Sequence, residues 1–218
     1  MLKLMDFSLW YDRRPLLKNV NCEIRAGEHV ALLGLNGSGK STLMQVIANV
    51  PSEAKWSGKL LIGDGVANTR ERVIWIPQQA VPSQLPLRAD EFVMLGRTSR
   101  LPRWGAPRPE DRAAVTEAMD LTGTGKFAAA RLHQLSDGER QRLALALALA
   151  SVADLLLLDE PTAHLDYLAR QEVIDLIASL RGKTILIATH DLEWAKKMPR
   201  CLEIKDRTIR QTNRGETT

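Results

Sequence analysis

Cysteine is almost missing from this 218-residue chain: only Cys22 and Cys201 occur, far apart and without the spacing of metal ligands. That excludes a disulfide-stapled scaffold and leaves two reduced packing residues. Aromatic residues are also few, at 5% of the chain, too little material for the stacked rings that hold single-stranded nucleic acid. No block of one charge sign stands out. Lys and Arg exceed Asp and Glu by 30 to 26, a net +4 with a pI near 9.2, but the cations are scattered, the pattern of a solvated surface rather than of a nucleic-acid footprint. Long apolar runs are absent too. The most apolar stretch, residues 143–153, is cut by Asp154, well short of the roughly 20 residues that a membrane helix needs. The N-terminus lacks the basic then apolar order of a secretory signal. The expected location is the cytosol, unless a partner holds the chain at a membrane.

What remains is ample for a buried core, since 44% of the residues are hydrophobic, and the length fits one domain with two lobes. The order of elements reads as α/β. Residues 2–11 and 17–24 have strand character, and the turn at Ala26, Gly27 and Glu28 precedes a third strand over 29–33. A helix is expected from Lys40 to about Ala48, then short strands over 59–62 and 72–76, with Pro77 ending the regular structure. From 81 to 150 the pattern turns helical, broken by Pro-rich and Gly-containing segments at 101–109 and 122–125, as in an inserted helical lobe. Strand (154–158), helix (168–180) and strand (184–188) then return. A hairpin around Asp206 and Arg207 and a fraying polar tail complete the chain.

Three local patterns carry chemistry. Gly34, Leu35, Asn36, Gly37, Ser38, Gly39, Lys40, Ser41 and Thr42 match the phosphate-binding loop in full, directly after the apolar strand 29–33. The glycines let backbone N–H groups wrap the phosphates. Lys40 supplies charge to the β- and γ-phosphates, and the Ser41 hydroxyl is placed to ligate Mg²⁺. In the second pattern four leucines, 155–158, lead into Asp159 and Glu160. This reads as a strand buried on both faces with its acids at the carboxyl end, where α/β sheets bind ligands. Asp159 is placed to hold Mg²⁺ and Glu160 to orient or deprotonate an attacking water, a role worth roughly 10²- to 10⁴-fold in rate. In the third, Leu135, Ser136, Asp137, Gly138 and Glu139 precede Arg140, Gln141, Arg142 and an apolar helix. Ser136 and Glu139 form a capping box, and the same helix start is an anion site.

These motifs, in this order and spacing, resemble the ATPase subunits of ATP-binding cassette transporters over nearly the whole chain. The resemblance identifies residues 34–42 with the Walker A loop, 155–160 with the Walker B strand and its catalytic glutamate, and 135–139 with the signature sequence. Ala163, His164, Leu165 and Asp166 are similar to the D-loop. His190, in Ala-Thr-His-Asp after a strand, looks like the switch histidine that contacts the γ-phosphate. Gln78 corresponds to the glutamine that senses Mg²⁺ and water, with Gln79 as the alternative. Tyr11 takes the place of the ring that stacks on adenine, with Trp10 as the alternative, since neighbours on a strand face opposite ways.

The resemblance implies a P-loop NTPase (RecA-like) core with an antiparallel β-subdomain and an inserted helical subdomain. Residues 1–80 and 151–218 form the nucleotide-binding core and β-subdomain, and 81–150 the helical subdomain with the signature. It implies ATP and Mg²⁺ as ligands and hydrolysis in a composite site, with Walker A and B of one subunit closing on the signature of another. A homodimer, separate transmembrane permease subunits and, indirectly, a solute-binding protein are the implied partners, with no direct contact to nucleic acid. The implied place is the cytoplasmic face of a bacterial inner membrane. Residues 90–97, the Pro-rich loop after them and the Leu-Ser-Asp-Gly-Glu-Arg signature look most like importers of iron-siderophore, haem or cobalamin. The loop after Gln78 and the segment around Arg97 to Trp104 are the expected permease-docking region, with Arg97 and Trp104 the residues whose loss should uncouple transport. A soluble cassette ATPase acting on ribosomes or nucleic acid would share the motifs, but paired cassettes or a long coiled-coil insertion are not present. Glu160 and His190 argue against a regulator without turnover. Two departures stand out: Asp137 and Glu139 replace the commoner Gly and Gln, and Leu147 stands where many members carry Arg. Asp137 is expected to point away from the nucleotide.

Overall fold

The computed structural model describes residues 1–63, 72–99, 106–163 and 165–212. The chain begins with a long antiparallel hairpin, β1 (Leu2–Tyr11) and β2 (Arg14–Ile24), joined later by β4 (Ala54–Ile62) in a three-stranded sheet of order β2-β1-β4. Asp6, at a left-handed φ of 48°, breaks the register of β1, and Gly58 of β4 sits against it so closely that a Cβ would lie 2.4 Å from the Asp6 carbonyl. Only glycine fits there. β4 starts at Ala54 rather than at the expected Lys59, because its exposed first half gains order from pairing with β1 and from Trp56 stacking on Phe7.

The second sheet has six strands in the order β5-β6-β7-β3-β8-β9. β3 (His29–Leu33), β5 (Val73–Ile76), β6 (Leu155–Asp159), β7 (Thr184–Thr189) and β8 (Arg200–Lys205) run parallel, and β9 (Thr208–Thr212) returns antiparallel at the edge. Every residue of β3, β6 and β7 is buried, which explains their unbroken apolar spelling; a half-exposed strand would alternate. Helix α1 (Lys40–Ile47) follows β3 and sends Leu43, Met44 and Ile47 into a core shared with both sheets. These elements form one compact unit, residues 1–77, 154–161 and 180–218.

The second unit, residues 78–153 and 162–179, is helical. It contains α2 (Ala89–Met94), α3 (Pro109–Leu121), α4 (Asp137–Ala150) and α5 (Tyr167–Ser179). Phe92, Val93, Val115, Met119, Leu132 and Leu143 centre its own apolar core. Helix α5 groups here through Arg142 of α4, which pairs with Glu172. A further short helix in the first unit, α6 (Leu192–Lys197), had no counterpart in the sequence reading; Asp191 caps it by accepting from the N–H groups of Glu193 and Trp194. The polar tail, 213–218, lies outside the described residues. No helix among the described residues is long and apolar enough to cross a membrane.

Candidate active site

β3 delivers the chain to the carboxyl edge of the parallel sheet, and the loop from Gly34 turns back into α1. Gly37 and Gly39 adopt φ of 76° and 100°, left-handed angles that residues with a Cβ avoid. Gly39 is also the N-cap of α1, and a Cβ on it would meet Leu16 at 3.1 Å. A Cβ on Gly34 would lie 2.7 Å from Ser38 Oγ. The loop is therefore a bare-backbone cradle, with Asn36 exposed at its tip and Thr42 in the first turn of the helix.

Lys40 is buried, and its ammonium donates to the carbonyls of Gly34 at 2.7 Å and Leu35 at 3.2 Å. Glu160 Oε1 stands 3.8 Å from Lys40 Nζ. Burial pulls the Lys40 pKa below its ordinary value, against the opposing pull of Glu160 and Asp159.

β6 places Asp159 and Glu160 beside this loop. Burial raises the Asp159 pKa, the nearby Ser41 hydroxyl opposes that shift, and Asp159 Oδ1 is buried without a hydrogen-bond partner among the described residues. Glu160 is buried and sits at a left-handed φ of 47°, a strained position for a side-chain-bearing residue. Its N–H donates to the Ala188 carbonyl at 2.9 Å, which ties the strained residue to β7. His190 lies just beyond β7, and its Nδ1 is 2.9 Å from Glu160 Oε1. A carboxylate accepts, so the ring proton sits on Nδ1 and Nε2 is left for another partner.

Mg²⁺ needs oxygen ligands and keeps several sites for water and phosphate, so one or two protein oxygens suffice. Asp159, with its unpartnered buried Oδ1, and Ser41 fit that description. No cluster of three or more His, Cys, Asp or Glu arranged for a metal occurs among the described residues.

Gln78 is exposed and opens the second unit. Ser136 and Gly138 belong to that unit as well. Ser136 is the N-cap of α4: its Oγ accepts from Glu139 N–H at 3.3 Å, and Glu139 Oε2 accepts from Ser136 N–H at 2.8 Å. The backbone hydrogen bond from Ser136 holds the Glu139 carboxyl below the usual range. Gly138 faces α5, where a Cβ would touch that of Ala169 at 3.3 Å. The exposed Asp137 is ion-paired with Arg140 one turn on, so its charge is partly answered within the helix.

The ABC transporter family profile matches residues 17–163. The chain belongs to that family. It is an ATP-binding, ATP-hydrolysing cassette with the P-loop NTPase fold. The hemin import ATP-binding protein of Streptomyces coelicolor is 42% identical over 190 residues, covering 84% of this chain and 66% of the relative. The manganese transport ATP-binding protein of Halalkalibacterium halodurans is 30% identical over 201 residues, covering 90% and 79%. A dimeric ATP-binding cassette solved in a post-hydrolysis state with ADP and Pi shares 29% identity and a TM-score of 0.81, with all of both chains covered.

One expectation for the cassette needs correction. Arg97 is not a free docking residue: it is buried, its Nε donates to Asp111 Oδ1 at 2.9 Å, and Nη1 donates to the Ala150 carbonyl at 3.1 Å. It locks α3 to the end of α4. Gly96 beside it lies against the Leu147 carbonyl, where a Cβ would come to 2.4 Å, and Leu147 packs onto the helical core. Trp104 and His164 lie outside the described residues. Of the two aromatic candidates on β1, Tyr11 is the exposed one and Trp10 is half-buried. Two site features had no sequence signal. The Glu160–His190 contact depends on β6 pairing with β7, and Ile204 of β8 comes under Gly34 because β8 pairs with β3.

Proposed function

We propose that the cassette is the energy-coupling subunit of an importer, working as a homodimer with separate permease subunits at the cytoplasmic face of the cell membrane. The observation that carries this reading is the Glu160 carboxylate held between Lys40 and His190 at the carboxyl ends of β6 and β7. Glu160 takes the proton of a water as its oxygen bonds to the γ-phosphorus and the bond to the ADP oxygen breaks. Lys40 and the loop N–H groups hold the β- and γ-phosphates, and His190 Nε2 steadies the γ-phosphate. When bound at Ser41 and Asp159, with Gln78 completing the set, Mg²⁺ supplies charge neutralisation for the leaving phosphate. Tyr11 stacks on adenine. Ser136 and Gly138 of a second copy cover the phosphates, so hydrolysis and reopening form a cycle that a permease can use.

For cargo we infer iron-siderophore, haem or cobalamin, on the segment 90–97, the signature spelling and the hemin-import relative. The manganese-transport relative shows that the family alone does not decide it. The test of the catalytic reading is steady-state ATP hydrolysis with Mg²⁺. Wild type turns over, and Glu160→Gln keeps ATP binding while losing about 10²-fold or more in kcat. Equal rates in the two would overturn it. Cargo is tested by uptake into vesicles carrying the cognate permease, and uptake of manganese but none of the iron or corrinoid complexes would overturn that part.

A further inference from the structure

A cavity of about 570 Å³ borders the phosphate loop, with Ser38 and His190 in its wall. Its far side is built by two hairpin ends that the site above does not use. Arg14 opens β2, opposite Tyr11 across the β1–β2 turn. Arg207 stands in the β8–β9 turn, which β2 anchors through the Lys18 N–H to Arg207 carbonyl bond of 2.8 Å. Lys205 lines the same wall, so three cations and two acids, Glu203 and Asp206, border the cavity there.

Two observations separate these arginines from an ordinary solvated surface. Neither guanidinium has a hydrogen-bond or ion-pair partner among the described residues. Arg207 also holds an unfavourable backbone: Asp206 and Arg207 are the two residues between the paired Lys205 and Thr208, with φ of 51° and 62°. A two-residue turn of this kind favours Asn-Gly, and an arginine in the second place is strained where glycine would not be. Ser38, in the cavity wall, has a buried hydroxyl with no hydrogen-bond partner among the described residues.

We propose that Arg14 and Arg207 form an outer anion clamp for the nucleoside triphosphate, reaching phosphate oxygens that project from the loop toward the hairpins. This rests on the ATP-binding reading above. Arginine suits the task because its planar fork pairs with two phosphate oxygens at once, whereas a lysine offers only a point charge. Both residues stand apart from the reacting bond. They contribute to binding in ground and transition state alike, so their loss appears in KM far more than in kcat.

The test compares wild type, Arg14→Ala, Arg207→Gly and Arg207→Lys in the full chain. Arg207→Gly removes the charge and also relieves the left-handed strain, so a loss of folding does not confuse the result. Each of the first two variants raises KM for ATP by about three- to tenfold, the range for charge-assisted contacts made by exposed arginines. Calorimetry with ADP shows the same weakening and calorimetry with adenosine shows none. Arg207→Lys, which keeps charge and strain, recovers part of the loss. KM unchanged in both Arg14→Ala and Arg207→Gly, with wild type active and Lys40→Ala inactive, overturns the clamp and leaves the ATP reading standing. Weakened adenosine binding also overturns it, because the contact is then to the nucleoside. Wild type that binds no ATP overturns both.

Discussion

The phosphate loop with the ends of β6 and β7, and the start of α4, are the two regions to which the proposed function gives phosphate contacts, and they are finished to different degrees. In the first region buried polar atoms lack partners among the described residues, burial lowers the Lys40 pKa and raises that of Asp159, and Glu160 sits on a strained backbone. In the second, Ser136 and Glu139 satisfy each other, and Asp137 is answered by Arg140. The loop region carries unanswered polar groups and backbone strain, whereas the polar groups of the α4 start answer one another. Under the proposed function that difference suits a composite site in which one half binds first and the other closes on it.

The comparison can be broken by stability measurements. The largest effect belongs to the helical unit that carries α4. Arg97→Ala strands the buried Asp111 carboxylate and costs about 3–5 kcal/mol in urea unfolding. Replacing both with apolar residues of similar size recovers most of it. A change under about 1 kcal/mol for the single variant would return Arg97 to the surface role first expected of it.

Next in size is Asp159→Asn. It removes a buried charge and stabilises the nucleotide-free protein by about 0.5–2 kcal/mol while weakening metal-dependent hydrolysis, the usual trade at a strained site. The sign with pH follows. A carboxyl whose folded pKa lies above its unfolded value costs stability as pH rises past the unfolded value of 3.8, so the advantage of the variant widens from acid toward neutral pH and closes below it. Glu139 behaves oppositely. Its folded pKa is depressed, so its contribution is present above the unfolded 4.5 and is lost as pH falls through the folded value. Unfolding curves from pH 3 to 7 with Asp159→Asn and Glu139→Gln check both signs. The smallest effect is Ser136→Ala, about 1 kcal/mol for the lost cap, with ATP affinity of the isolated chain unchanged because the loop that binds first lies elsewhere.

The contrast also explains what the sequence could tell. Residues 34–42 and 155–160 were legible because the chemistry and the fold impose themselves on consecutive residues: glycines where the backbone bends, leucines where both faces are buried. The Ser136–Glu139 cap spans four consecutive residues and was equally plain. Arg97 was not, because its role is decided by Asp111 and Ala150, and a buried arginine is spelled like an exposed one. β4 appeared too short because its first half is ordered by β1 rather than by its own pattern. The six-residue α6 is too brief for periodicity to register, although its Asp191 cap was visible in principle. The approach of His190 to Glu160 needed the pairing of β6 with β7, which no local pattern reports.

The most direct test of the composite site is the elution of Glu160→Gln in size-exclusion chromatography, with and without ATP. The account predicts a 24.3 kDa monomer alone and a species of twice that mass with ATP, which Ser136→Arg on the same chain abolishes while ATP binding persists. A Glu160→Gln chain that binds ATP yet remains monomeric, beside a wild type whose hydrolysis is strictly proportional to protein concentration, would contradict it.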